Sequence, residues 1–397
     1  MNLENKDIDL FNPFIIVLMV ILFVAIAIPM WYFYDKLPSP NFDLFLYIGL
    51  GLIFFIFGIF FSNFLINKYS SFDEENNFSA NSINVPLNNF IKDNVKLNFN
   101  RNPIKISIRD SYSKRELILV GVVSFAILLQ IINIALLGNI PLFDASLKAK
   151  AATKIWLLSY VLFIPFINIL LALYNRNSHY ALLLIGLLLF AMTGYRTTPI
   201  AIALSVFITL YYTRDIKLKH QILFILTIIV LLLAIGFIAV QAISWQHWTL
   251  NPIELISYRA AFTLNVLGHA IDNQFSTGGN LFYSTLTGYF THVDPRNLVG
   301  IATLGRDHSI TSTIFGPALL DFGIVGMLVQ MFFIGFILKS LHSIQKYKKE
   351  IFTAFYGILL AQTIIWIETG PTDIVVWIFY LIGISLVFFS FKDFLKN

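Results

Sequence analysis

The chain contains no cysteine, which excludes disulfides, thiolate metal sites and a cysteine nucleophile. Charge is scarce too: only 12% of the 397 residues are Asp, Glu, Lys or Arg, against roughly 25% in an average soluble domain. Nor is there an internal repeat of fixed period of the kind that builds many transporters. In place of these, 57% of the residues are hydrophobic and 40 are Phe. One water-soluble core of this size cannot hide that much apolar surface, so a soluble enzyme is excluded and the chain reads as an all-α integral membrane protein. The net charge of +5 points to Lys/Arg bias on one side of a membrane and not to nucleic acid. No acidic metal cluster is evident, so neither metal nor cofactor is expected.

Apolar stretches bounded by charges give ten candidate spans, at 14–34, 44–66, 117–137, 155–174, 180–193, 198–212, 222–244, 314–338, 351–367 and 374–391. The first is too long for a signal-peptide core and lacks a net basic leader and a small-residue cleavage site, so it is expected to stay in the mature protein. Ten spans put both termini on one side. With the termini in the cytoplasm, 19 of the 27 Lys and Arg fall on that side and 8 on the other, as the positive-inside rule prefers. Without the 67–116 loop the comparison is 11 against 8. The expectation is a single polytopic domain, 1–397, in the cytoplasmic membrane. It has a cytoplasmic loop at 67–116 and an external loop at 245–313.

The cytoplasmic loop opens with a polar stretch, SSFDEENNFSANS, and ends with alternating VKLNFN and IKISI around 100–103. That alternation reads as a small β-hairpin, better suited to anchoring or regulation than to catalysis. The external loop is rich in Gly, aromatic and His residues, and the chemistry is expected there. Its Trp245, Trp248, Phe282, Tyr283, Tyr289 and Phe290 suit stacking on sugar rings, or equally a membrane-interface belt.

Charges near the apolar spans single out further residues. The spans at 180–193 and 198–212 make only about 22 Å of helix against a hydrocarbon core of about 30 Å, and the turn GYRTTP at 194–199 joins them. Gly194 suits a helix C-cap, Thr198 an N-cap and Pro199 the first helical position. Arg196 beside a helix N-terminus outlines a phosphate site; the bland alternative is an arginine snorkelling to the interface, with Tyr195 as its belt aromatic. In the external loop, Asn251, Pro252 and Glu254 fit N-cap, N1 and N3 of an amphipathic helix running to about Asp272, laid along the membrane. Glu254, Tyr258, Asn265, His269 and Asp272 lie within about 60° of one another on it, and Arg259 about 80° to 140° away. The Arg259 head must therefore reach a partner outside the helix, either a salt bridge or an anionic ligand.

The segment LGRDHSITSTIFGPALLDFGIVG, 304–326, runs a charged loop directly into a span. Arg306 and His308 belong at its mouth, where His308 is either a general base or a plain hydrogen-bonding residue. Asp321 lies about two turns inside the span, marking a functional site or a structural partner such as an Arg. The DFG triplet is no kinase signature, because the glycine-rich loop, strand Lys and HRD loop are missing. Finally, GNIPLFD at 138–144 is followed by Lys148, Lys150 and Lys154, which either bind anions such as lipid head groups or a pyrophosphate, or solvate a short helix.

Taken together, GNIPLF, GYRT, the large external loop with Arg and His, and the closing helix from HSITST to DFGIVG resemble the oligosaccharide repeat unit polymerases, the Wzy or O-antigen polymerase group. The resemblance runs from about 117 to 391. The related O-antigen ligases show a similar His-led loop before a Gly-containing span. The resemblance implies a GT-C-like multi-pass glycosyltransferase acting at the outer face. Its donor and acceptor would both be polyprenyl-diphosphate-linked oligosaccharides, undecaprenyl diphosphate being the carrier type. A flippase and a chain-length regulator would be its partners, and it would need no metal or cofactor. It further implies Arg196, Arg259 and Arg306 as diphosphate ligands and His308 as the counterpart of the ligase His. The chain is short for the group and shows no second copy of an Arg-containing external motif. The alternatives are an O-antigen-type ligase, with a different acceptor, and a lipid-linked oligosaccharide flippase or other transporter. A polyprenyl-monophosphosugar mannosyltransferase fits poorly, because Asp35 and Asp43 do not form that group's adjacent acidic pair.

Overall fold

The computed structural model describes residues 9–34, 37–80, 112–148, 150–214, 219, 222, 223, 226, 252–272, 276–291 and 293–394. Among them every regular element is helical: α1 Ile15–Tyr32, α2 Phe42–Ala80, α3 Lys114–Leu137, α4 Lys154–Leu173, α5 Asn177–Ala191, α6 Thr197–Thr213, α7 Pro252–Asp272, α8 Asn280–Thr291, α9 Pro295–Leu304, α10 Gly316–Tyr347, α11 Ile351–Thr369 and α12 Ile374–Phe394. Six of these, α1 to α4, α10 and α11, are long and apolar enough to cross a membrane, and α5, α6 and α12 contribute shorter apolar helices. The chain is a multi-pass membrane protein. The hairpin expected around 95–108, nearly all of the 222–244 span, and Trp245, Trp248 and Asn251 lie outside the described residues. The polar SSFDEENN stretch, expected as loop, continues α2 as helix to Ala80.

The helices begin where the local chemistry allows. Ser113 caps α3 by accepting the Glu116 N–H, and Thr153 caps α4 by accepting the Trp156 N–H, each satisfying an amide that the first turn leaves free. Gly138 closes α3 in the left-handed region at φ 75°. Within the bundle, α11 is apolar and buried on nearly every side, as a helix without a polar face must be. It packs against α1, α4, α6, α10 and α12. Polar bonds tie its neighbours to it: the Gln362 side-chain N–H donates to the Tyr160 hydroxyl at 3.0 Å, and the Thr363 and Tyr380 hydroxyls lie 2.6 Å apart. Asn168, Ser205 and Thr209 link α4 to α6 in the same way. Such bonds and close backbone approach hold helices together where lipid supplies no hydrophobic drive.

The two ends of the bundle differ. One gathers Asp9 with Tyr212 and His342, Glu116 with Arg176 and His179, and Arg115 with Glu350. The other gathers the α5–α6 turn, α7 to α9, the start of α10 and the α11–α12 turn, and it carries the candidate site.

Candidate active site

The α5–α6 turn sets the first arginine. α5 ends at Ala191, Gly194 takes φ 76°, and α6 starts at Thr197 with Arg196 as its N-cap residue. Thr198 and Pro199 therefore occupy the second and third helical positions and not the cap and first position expected. Proline is tolerated there because first-turn amides have no intrahelical acceptor. The Leu142 N–H donates to the Met192 carbonyl at 2.9 Å, and a β-carbon on Gly194 would lie 3.3 Å from the Leu142 Cα and the Pro141 carbonyl, so GNIPLF packs on GYRT, two motifs far apart in the chain.

The second arginine sits on α7, which pairs with the far end of α1. Ser257 donates to the Ile26 carbonyl, Trp31 Nε1–H donates to Asn265, and Asn41 donates to Asp272. The contacts advance along both helices together, so α7 is packed beside a spanning helix, where the sequence reading laid it along the membrane. Its polar stripe is largely scaffold: Asn265 and Asp272 are taken by α1 and the 38–41 connection, Tyr258 stacks on Phe262, and His269 is exposed. Arg259, off that stripe, reaches outside the helix as its position required.

Both arginines meet on Glu368, in the last turn of α11. Arg196 Nη2 donates to Glu368 Oε1 at 2.7 Å and Arg259 Nη2 to the same oxygen at 3.3 Å. The side chains are 28%, 44% and 30% exposed for Arg196, Arg259 and Glu368, so a ligand can reach all three. Among the described residues, the buried Arg259 Nε has no hydrogen-bond partner. The 308–313 segment threads past this group. The Thr311 and Thr263 hydroxyls stand 3.5 Å apart, and a β-carbon on Gly370 would strike the Thr313 carbonyl. Thr313 itself takes φ 64°, a strained conformation for a β-branched residue of the kind that gathers at functional sites.

A second arginine–carboxylate set lies across the α11–α12 turn. Asp294 caps α9 by accepting the Arg296 N–H. The Arg296 guanidinium donates through Nη2 to Asp373 at 2.6 Å and through Nε to Thr372 at 3.3 Å. The facing Asp373 carboxylate raises the Arg296 pKa, against the opposing effect of burial, so its charge is fixed. This pair borders a cavity of about 440 Å³ whose walls include Trp156, Tyr160, Tyr195, Ser284, Gln362 and Trp366. Aromatic faces among a few polar groups are what a ligand pocket of this size ordinarily presents. Burial pushes the Tyr195 hydroxyl pKa up, so that phenol stays neutral. Tyr195 and Arg196, neighbours in one turn, thus serve the cavity and the Glu368 group respectively.

Other residues singled out by sequence stand apart. Asp321 has no arginine partner among the described residues: it accepts from the Thr277 hydroxyl and from the Leu281 and Phe282 N–H groups, capping α8. Arg306 and His308 are exposed in the loop after α9. Among the described residues neither side chain bonds to Arg196, Arg259 or Glu368. Lys150 and Lys154 are exposed, Glu254 lies in the first turn of α7, and the Lys148 and Tyr289 side chains fall outside what is described. The sequence reading overlooked Glu368, Arg296 and Asp373. The signal was available: ETGPTD at 368–373 sets two carboxylates at the tip between two apolar spans, as costly a placement as that of Arg196.

Residues 9–380 match the family described as "Putative O-antigen polymerase". Two proteins of Methanocaldococcus jannaschii are similar to the chain. The uncharacterized protein MJ0420 is 28% identical over 269 residues, 68% of this chain and 63% of that protein. The uncharacterized protein MJ0419 is 29% identical over 206 residues, 51% of this chain and 56% of that protein. The chain therefore spans less than two thirds of either relative. No solved structure matches it.

Proposed function

The chain belongs to the O-antigen polymerase family, and on that premise we propose that it joins polyprenyl-diphosphate-linked oligosaccharides into a longer glycan at the outer face of the cytoplasmic membrane. The observation that carries this reading is the convergence of Arg196 and Arg259, from distant parts of the chain, on one carboxylate oxygen beside an aromatic-lined cavity. Arginine offers a planar fork of donors that matches phosphate oxygens. Two of them, partly exposed, suit the diphosphate of a lipid-linked donor. The sugar next to that diphosphate lies against the aromatic walls of the cavity, where Ser284 and Gln362 offer hydrogen bonds.

Glycosyl transfer at such a site needs positive charge where the leaving diphosphate gains negative charge, and an acceptor hydroxyl on the opposite face of the anomeric carbon. The first is supplied by Arg196 and Arg259. Attack opposite the diphosphate inverts the anomeric centre and frees polyprenyl diphosphate. Arg306 and His308, on the exposed loop beyond α9, meet the acceptor portion as it enters.

The test uses purified chain in liposomes given only lipid-diphosphate oligosaccharide, with no nucleotide sugar. Products longer than the input on a gel are expected. Movement of the substrate across the bilayer with no new glycosidic bond supports a flippase instead, and transfer to a different acceptor without elongation supports a ligase.

A further inference from the structure

The contacts around Glu368 are unlike those of a finished structural salt bridge. An arginine and a carboxylate bind most strongly side by side, through two parallel hydrogen bonds. Here two guanidinium groups crowd onto Oε1 at 2.7 and 3.3 Å, and among the described residues Oε2 accepts no hydrogen bond. Among the described residues the buried Arg259 Nε–H likewise finds no acceptor, although buried donors are nearly always satisfied. The group therefore holds an unused donor and an unused acceptor oxygen, and it is open enough for a ligand to enter. Its charge is also unmatched. Two guanidinium groups against one carboxylate leave one positive charge over, whereas a diphosphate esterified at both ends carries two negative charges. That ligand matches the arginines only if the carboxylate withdraws. Withdrawal is feasible because Glu368 sits in the final turn of α11, its side chain turns about several single bonds, and Gly370 follows at φ 73°.

We propose that Glu368 stands in for the diphosphate while the site is empty, yields Arg196 and Arg259 to the donor when it binds, and then acts as the general base on the acceptor hydroxyl. The proposal rests on the reading that these arginines hold the donor diphosphate. In the step, a lone pair of the acceptor oxygen forms the new bond to the anomeric carbon, and the hydroxyl proton passes to the freed Glu368 carboxylate. The bond from the anomeric carbon to the phosphate oxygen breaks. Its electron pair leaves with polyprenyl diphosphate, whose extra negative charge stays against Arg196 and Arg259. When that product departs, Glu368 releases its proton to water and returns to the arginines. Occupancy of the donor site is thereby coupled to arming of the base, since the carboxylate is free only when the diphosphate is bound.

The experiment measures two quantities on the full, membrane-inserted chain: affinity for farnesyl diphosphate, as a probe of the arginine pair, and elongation of the lipid-diphosphate oligosaccharide. Glu368→Gln keeps the shape and removes the competing charge, so the probe should bind as tightly as to the unsubstituted chain, or up to about tenfold more tightly. Elongation should fall about 100-fold or more, the scale of a lost general base. Glu368→Asp should recover part of it, and the acid limb of the elongation rate against pH should vanish in Glu368→Gln. A Glu368→Gln variant that loses probe affinity together with elongation would show that Glu368 only positions the arginines, and overturns the proposal. Near-normal elongation by Glu368→Gln also overturns it. Arg196→Ala and Arg259→Ala separate the two readings: if neither weakens probe binding, the diphosphate assignment itself fails and the base assignment falls with it.

Discussion

Arg196 and Arg259 reach one carboxylate oxygen of Glu368 from separate helices. If they grip the donor diphosphate, Arg196→Ala and Arg259→Ala should each weaken donor binding by about 1.5 to 3 kcal/mol, the value of a charge-assisted hydrogen bond. Arg196→Lys should restore little, because a point charge does not reproduce the guanidinium fork. His308 gives a contrasting expectation. With Glu368 as base and His308 exposed, His308→Ala should lower elongation less than tenfold. A loss of about 100-fold, the usual scale for a general base, would return that role to the histidine that the sequence singled out. Asp9, at the opposite end, supplies a pH test. Burial raises its pKa, but hydrogen bonds from His342 and Tyr212, at 2.7 and 2.6 Å, outweigh this and hold it below the ordinary aspartate value. A folded pKa that is depressed means stabilisation fully present above the unfolded value and lost as pH falls through the folded one. The gap in melting temperature between the chain and Asp9→Asn in detergent should therefore stay level from neutral pH down to about pH 5 and close only below about pH 4.

At the level of elements, the sequence marks Asp321 as a functional site or a structural partner such as an Arg, and the fold gives it a different task, the cap of α8. Removing it should free the first-turn amides of α8. Asp321→Ala should thus cost about 0.5 to 2 kcal/mol of stability, while Asp321→Asn, which still offers an acceptor oxygen, costs less. Melting curves of the two variants check this, and equal losses would point to a role for the charge itself. The α2–α10 contact is a second case. A β-carbon on Gly58 would run into the Phe332 carbonyl, and one on Gly335 into the Phe55 carbonyl, so these backbones touch as small-residue interfaces allow. Gly335→Val should destabilise by about 1 to 3 kcal/mol, as overpacking does, and leave donor affinity of the surviving folded protein unchanged. α7 shows where sequence falls short. Its amphipathic period was legible, yet that period cannot say whether the polar stripe meets water, lipid head groups or another helix.

For the whole molecule, the prediction is sidedness. Helix packing puts the Arg196 and Arg296 groups at one end and Lys349, between α10 and α11, at the other, and the basic-residue count assigns the first end to the outside. The absence of cysteine makes the test clean. Ser276→Cys should react with an impermeant thiol reagent added outside intact cells, and Lys349→Cys only after the membrane is opened. The reverse pattern would put the proposed site on the wrong face for an outer-face polymerase.

Sequence alone determined that this chain lives in a membrane, roughly where its helices run, and that Arg196 and Arg259 are unusual, because hydrophobic length and the cost of charge in lipid are local properties that composition and spacing express directly. It also carried the family, through short motifs whose order survives in the chain. Only the tertiary structure decided what those residues touch. That GNIPLF packs on GYRT, that Asp321 caps a helix, and that two arginines share one oxygen of Glu368 all depend on which helices are neighbours. In a bilayer, adjacency is set by close packing of small residues and by scattered polar bonds, and these leave no periodic trace along the sequence.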